Sequence, residues 1–181
     1  MAFKTLKRLR HSHGFGVHSP YAFRFVKSVI SPARGYAYYA EEDFEGLLAK
    51  EPHRFLMEKE ARALLRIAAF TNPRSAYLPA GVHVAFRFAL RAVNSRIQLT
   101  ESLSKLPDVE LAATFTGSQP IETLCEYIAQ PGRTLLIRDI STEDADRIFE
   151  AMKEGIMFEG KRNCIFISRP QTRKVRYLMN L

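Results

Sequence analysis

Acidic residues are missing from both ends of this sequence. Residues 1–40 carry seven Lys or Arg and no Asp or Glu, and residues 161–181 carry six Lys or Arg, again with no acid. All 19 acids lie between 41 and 160, against 14 bases, so the net charge of +8 runs as +7, −5 and +6 along the chain. Two basic ends around an acidic middle suit a polyanion such as nucleic acid or an anionic surface. The competing expectation is that the ends pack on the acidic centre of their own fold. Cysteine is scarce as well: Cys125 and Cys164 lie far apart without a C-x-x-C partner. That excludes a disulfide framework and a zinc site, and it predicts a reducing, cytoplasmic setting. Apolar runs stay short of the roughly 18–20 residues a membrane span needs. No secretory apolar core follows the basic start. Internal repeats, low-complexity segments and the nucleophile elbow G-x-S-x-G are also absent.

What is present is the composition of one globular domain: 181 residues, 46% hydrophobic and 25% charged, enough for a single core. Ser19-Pro20 is a cap followed by proline at the first helical position. It predicts a helix to Ile30 with Phe23, Val26 and Ile30 on one face and Phe25 and Val29 beside them, stopped by Ser31-Pro32. A short acidic helix is expected from Glu41. Another is expected from about Glu58 to Phe70, with Ala61, Leu64, Leu65 and Ala68 at helical spacing, ended by Asn72-Pro73.

From Ser75 the pattern alternates. Strands are expected at Ser75–Leu78, Arg96–Thr100, Val109–Phe115 and Thr134–Ile137. Helices are expected at Val82–Val93, at Pro120–Ala129 and from Ser141, the last with Asp144 in a capping-box position and Gly155 at its C-terminal end. Cys164–Ser168 and Val175–Met179 are the late strands, and the short turn between them predicts an antiparallel hairpin at one sheet edge. The expectation is an α/β fold: a helical N-terminal extension over 1–72 packed on a mainly parallel core over 73–181.

His13-Gly14-Phe15-Gly16-Val17-His18-Ser19-Pro20-Tyr21-Ala22-Phe23 closely resembles the HGVHSPFVF-type signature of a group of bacterial class I methyltransferase-like proteins. The order of elements from Arg74 onward is similar as well. Ile97–Glu101 resembles the family's second strand, which ends in an acid. Val109–Gly117 resembles its "FIDG" strand, Leu135–Ile140 its "DDI" strand and Val175–Leu181 its closing segment. The resemblance implies a Rossmann-like sheet and S-adenosylmethionine as cofactor. It assigns cofactor binding to Gly81, to Glu101 at the ribose hydroxyls, and to Asp139. A plainer reading of Glu101 is that it caps or solvates a strand end.

The departures from that pattern bear on activity. A Rossmann-type loop needs glycines so that backbone can approach the ligand. Tyr77-Leu78-Pro79-Ala80-Gly81-Val82-His83-Val84 keeps one glycine, and Pro79 removes an amide donor. Thr116 stands where the family's metal-dependent relatives carry an aspartate, and Arg138 replaces the first acid of the "DDI" pair. Hard cations need several oxygen ligands, so no metal is expected. Arg138 is expected to repel a cation at such a site or to neutralise Asp139 by pairing with it. Only about seven residues separate Glu101 from Val109, short of the dozen a parallel crossover needs. Either a helix–strand unit is lost here or a strand is misplaced. A loss would expose sheet surface that a second copy or a protein partner would cover. Three functions are therefore open: a non-catalytic partner or scaffold, a methyltransferase with an altered pocket, and a basic module for nucleic acid or an anionic surface.

His11, His13 and His18 share a short window, but no acid or cysteine lies near to complete a metal site. A structural use is expected instead, with His18 donating to backbone at a helix start. His53 and His83 are isolated. Tyr36, Tyr38 and Tyr39 suit either base stacking or packing of the N-terminal segment. Cys125 and Cys164 read as small buried hydrophobes.

Overall fold

The computed structural model describes residues 2–14, 16–32, 37–51 and 58–181, with the backbone alone for 2–5 and 103. Phe15, Arg34, Tyr36 and His53 fall outside the described residues. Seven α-helices are described: α1 (Ala2–Ser12), α2 (Pro20–Phe25), α3 (Tyr38–Leu48), α4 (Glu58–Thr71), α5 (Val84–Val93), α6 (Ile121–Ala129) and α7 (Thr142–Ala151). The strands are β1 (Ser75–Tyr77), β2 (Gln98–Thr100), β3 (Leu111–Phe115), β4 (Thr134–Arg138), β5 (Gly155–Glu159), β6 (Asn163–Ser168) and β7 (Val175–Leu178). They form one mixed sheet in the order β2-β1-β3-β4-β6-β5-β7. Strands β2, β1, β3 and β4 are parallel; β6 runs antiparallel to both β4 and β5, and β7 lies parallel to β5.

Side chains alternate across this sheet, as a strand's two-residue period requires. Ala76, Leu111, Leu136, Ile156, Phe158 and Ile165 face one core, together with Phe25 and Val29, Leu64 and Ile67 of α4, and Phe86 and Leu90 of α5. Tyr77, Ala112, Leu135, Ile137, Met157 and Phe166 face the other, with Leu124 and Tyr127 of α6 and Ala145 and Ile148 of α7. On the first side α3 adds a further layer, burying Phe44 and Leu48 against Ala61, Leu65, Ala85 and Ala89. Helix α2, the turn that follows it and α4 are thus part of the main core. Phe25 lies flat on Phe158, centroids 4.5 Å apart, and meets Phe70 edge-on.

The caps follow the expected chemistry. Ser19 Oγ accepts from the Ala22 amide. Ser141 Oγ accepts from the Asp144 amide and donates to the Asp144 carboxylate. The expected face of this helix holds in part. Val26, with Phe25 and Val29 beside it, is buried together with Ala22, and Ile30 is half-buried, while Phe23 is 43% exposed. The buried stripe has helical i, i+3, i+4, i+7 spacing, and it is inconspicuous in the sequence because Ala22 is small. A single π turn over Val26–Ile30, closed by Ser31 N donating to Val26 O, follows α2.

Helix α1 and strand β5 were not anticipated. The first exposes Leu6 and Leu9; it is held by tertiary contacts to β7, with His11 edge-on to Tyr177 and Asn180 N donating to Ser12 Oγ at 2.8 Å. Gly155 does not end α7, whose C-cap is Met152. It opens β5 at φ +133, where a Cβ would run into the carbonyl oxygen of Ile167. The missed β5 also changes the expected hairpin. The antiparallel hairpin is β5–β6, β6 is interior, and the edge strand β7 pairs with β5 rather than β6. Strands β2 and β3 flank β1, and residues 101–110 cross over it through a 3-10 turn at Leu103–Asp108. The strand assignment therefore holds, and the crossover is short. No helix among the described residues is long and apolar enough to cross a membrane.

Candidate functional site

In an open parallel sheet, ligands favour the crevice outside the C-terminal strand ends, where strand order reverses. Here the chain steps from β1 to β2 on one side and returns to β3 on the other, so the reversal flanks β1. Gly81, Glu101 and Asp139 all lie at this end of the sheet, following β1, β2 and β4. Two further strands separate β2 from β4, so Glu101 and Asp139 stand about 14 Å apart by strand spacing. They do not converge on one small group.

Each carboxylate is held by arginine from the chain itself. Glu101 is ion-paired and hydrogen-bonded to Arg87 of α5. Asp139 is ion-paired to Arg162, in the turn between β5 and β6. The expected Arg138–Asp139 pairing is present but long, at 3.9 Å, and Arg138 is also 3.7 Å from Glu60 of α4. Arg87, Arg162 and Glu60 escaped sequence reasoning because their partners are distant in the chain, and only helix placement and the β5–β6 turn bring them in.

The strand ends are cross-tied. Thr116 N donates to Arg138 O at 2.9 Å, and Thr116 Oγ1 donates to Asp139 O at 2.7 Å. Asp139 sits at φ +57, in the left-handed region that aspartate tolerates better than most residues. Thr116 is thus a staple between β3 and β4. Gln119 Nε2 donates to the Tyr77 hydroxyl, whose pKa burial raises. His83 caps α5 by accepting the Ala85 amide on Nδ1.

The loop after β1 turns at Gly81 with φ +79, and a Cβ placed there would meet nothing within 4 Å. The turn therefore needs glycine for its backbone angle, not for space. Beside it, Val82, Phe86, Ala113, Thr114, Phe115, Leu136 and Arg138 enclose a cavity of about 20 Å³. Ligand pockets for drug-sized molecules measure roughly 300–1,000 Å³, so this space admits about one water. No His, Cys, Asp and Glu cluster among the described residues could hold a metal ion.

A second concave surface lies at the other end of the sheet. Residues 18–21, Arg24, residues 169–175 and Tyr177 line a groove of about 790 Å³, with His18, Arg24, Arg169, Arg173 and Lys174 on its walls. His18 is exposed and contributes to this wall; the expected bond from it to backbone does not form. Tyr38 and Tyr39 are exposed and meet edge-to-face, so neither packs the N-terminal segment onto the core. Cys125 is half-buried and Cys164 buried, and burial pushes the Cys164 thiol up to about 12.

No family model matches this chain, and no curated protein matches it in sequence. The fold and the site together define an open α/β protein with a mixed sheet, whose strand-end carboxylates are already engaged.

Proposed function

We propose that the chain is a non-catalytic methyltransferase-like protein that acts as a partner or scaffold. The observation that carries this reading is the state of the strand-end acids: Glu101 and Asp139 each face an arginine of the chain rather than an open pocket. An engaged carboxylate must break a charge-assisted bond before it accepts from a ribose hydroxyl. The 20 Å³ cavity beside Phe86 adds a steric reason. The resemblance of His13–Phe23 to the family signature supplies the family half of the reading. Strand β2, three residues long and paired only with β1, leaves an edge that a protein partner or a second copy would cover.

Isothermal titration of the full chain with S-adenosylmethionine and S-adenosylhomocysteine tests the proposal. Absence of saturable heat to about millimolar ligand is expected. Micromolar binding that Glu101→Ala abolishes would instead establish a methyltransferase with an altered pocket. A second reading, a basic module for a polyanion, has its own observation: the two acid-free ends of the chain meet on one groove.

A further inference from the structure

Resting on that basic-module reading and independent of the cofactor question, we propose that the groove between residues 18–24 and 169–177 is a binding site for a phosphate-bearing polyanion. Its phosphates would sit between Arg24 on one wall and Arg169 and Arg173 on the other.

The location is set by topology. Strand β6 is antiparallel to β4, so its C-terminal end lies beside the start of β4, and the loop 169–174 leads from there to the start of β7. The groove therefore occupies the end of the sheet opposite Gly81, Glu101 and Asp139. Its walls are fixed. Thr172 N donates to Arg169 O, Gly155 N to Thr172 O, and Gln171 N to the Glu154 carboxylate at 2.8 Å. On the facing wall, Tyr21 packs edge-on to Phe70, and the Arg169 guanidinium lies 4.3 Å from the Tyr21 ring centroid, bridging the two walls.

The groove gathers arginines that no acid matches. Arg8 and Arg176 pair with Glu159, Arg62 with Glu58, Arg66 with Glu41 and Arg147 with Glu122, whereas Arg10, Arg74, Arg91, Arg96 and Arg133, also without a carboxylate partner among the described residues, lie outside the groove lining. Among the described residues, no carboxylate pairs with Arg24, Arg169 or Arg173, and the lining contains no acid. Glu154 is engaged by backbone and Glu150 by Lys174 at 3.3 Å. Unmated guanidinium groups on two rigid walls match phosphate oxygens bidentately. The volume of about 790 Å³ suits a bound ligand rather than a lone ion. None of the exposed large apolar side chains (Leu6, Leu9, Phe23, Tyr38, Tyr39, Phe115) lines the groove, so insertion into a bilayer has no support there.

Inorganic triphosphate and a fluorescein-labelled single-stranded oligothymidylate carry the same chemistry from two sources. Titrating the full chain with triphosphate by calorimetry, and with the strand by anisotropy, should give saturable binding of at least one. Binding should weaken at least about tenfold between about 50 and about 200 mM salt for the strand. The double variant Arg24→Ala/Arg173→Ala should weaken binding at least about tenfold, whereas Arg91→Ala/Arg96→Ala, with equal charge loss outside the groove, should weaken it less than about threefold. All four positions are exposed and without ion pairs, and circular dichroism confirms folding; Arg173→Glu serves as the single-site check. Triphosphate alone binding assigns a compact ligand, and the strand alone a nucleic acid. Two results overturn the site: no saturation of either probe, or equal losses in both double variants. Capture by vesicles of phosphatidylcholine and phosphatidylserine in roughly equal parts, with neither probe bound, would overturn it in favour of a membrane.

Discussion

The guanidinium of Arg87 on α5 holds the carboxylate of Glu101 at the end of β2, bridging the helix after β1 to the edge strand of the sheet. Both side chains are partly exposed, so the pair is a clasp at the rim rather than a buried bond. Arg87→Ala should lower stability by less than about 1 kcal/mol in urea denaturation. Freed of its partner, Glu101 should still bring no binding of S-adenosylmethionine by calorimetry, because the adjoining space remains filled. A larger stability loss, or binding gained, would contradict this account of the rim.

Phe86 fills that space. It is 4% exposed, packs with Leu90, Ala113 and Leu136, and borders the small cavity. Phe86→Ala should cost about 3–5 kcal/mol, the range for removing a buried aromatic ring. A cost near zero would mean that the ring does not close the crevice.

Two glycines separate backbone angle from close approach. Gly132 has φ +76 and open space around it, whereas Gly155 has φ +133 and faces the Ile167 carbonyl. Gly132→Ala should cost about 1–2 kcal/mol for the left-handed angle alone. Gly155→Ala should cost several times more, because β5 must also part from β6. Thermal melts of the two variants would rank them, and equal losses would count against the β5–β6 register.

The thiol of Cys164 is pushed by burial from 9.0 up to about 12. The folded chain therefore keeps a proton that the unfolded chain releases. This contribution is fully present below about pH 9 and is lost as pH rises toward 12. The Tyr127 hydroxyl, raised from 10.0 by burial while donating to Thr134 O, acts in the same direction. Urea midpoints should fall between about pH 8 and about pH 10.5, and Cys164→Ala should flatten that fall. At about pH 8 a thiol reagent should modify Cys125 before Cys164.

Much of the α/β alternation was legible because it is local. Ser19 and Ser141 cap helices through bonds spanning three residues, and the apolar spacing of α4 needs no partner to be seen. The strands that Gly81, Glu101 and Asp139 follow were likewise legible from pattern, while the family resemblance singled out the three residues. What engages them was hidden, since Arg87 and Arg162 reach them only after folding.

By itself, then, the chain's sequence determined the alternation of strands and helices from Ser75 to α7, that β3 and β4 are apolar, and that both ends of the chain are basic. Those properties follow from side-chain size, periodicity and charge within a few residues. Only the tertiary structure decided that β6 is interior and β7 forms the edge, because strand order depends on pairing across long separations. It also decided how the basic ends are used. Arg8, Lys174 and Arg176 meet acids of the middle, while Arg24, Arg169 and Arg173, without a carboxylate partner among the described residues, converge on one groove. Charge is written in the sequence, but whether a charge is satisfied depends on which neighbours the fold brings within a few ångströms of it.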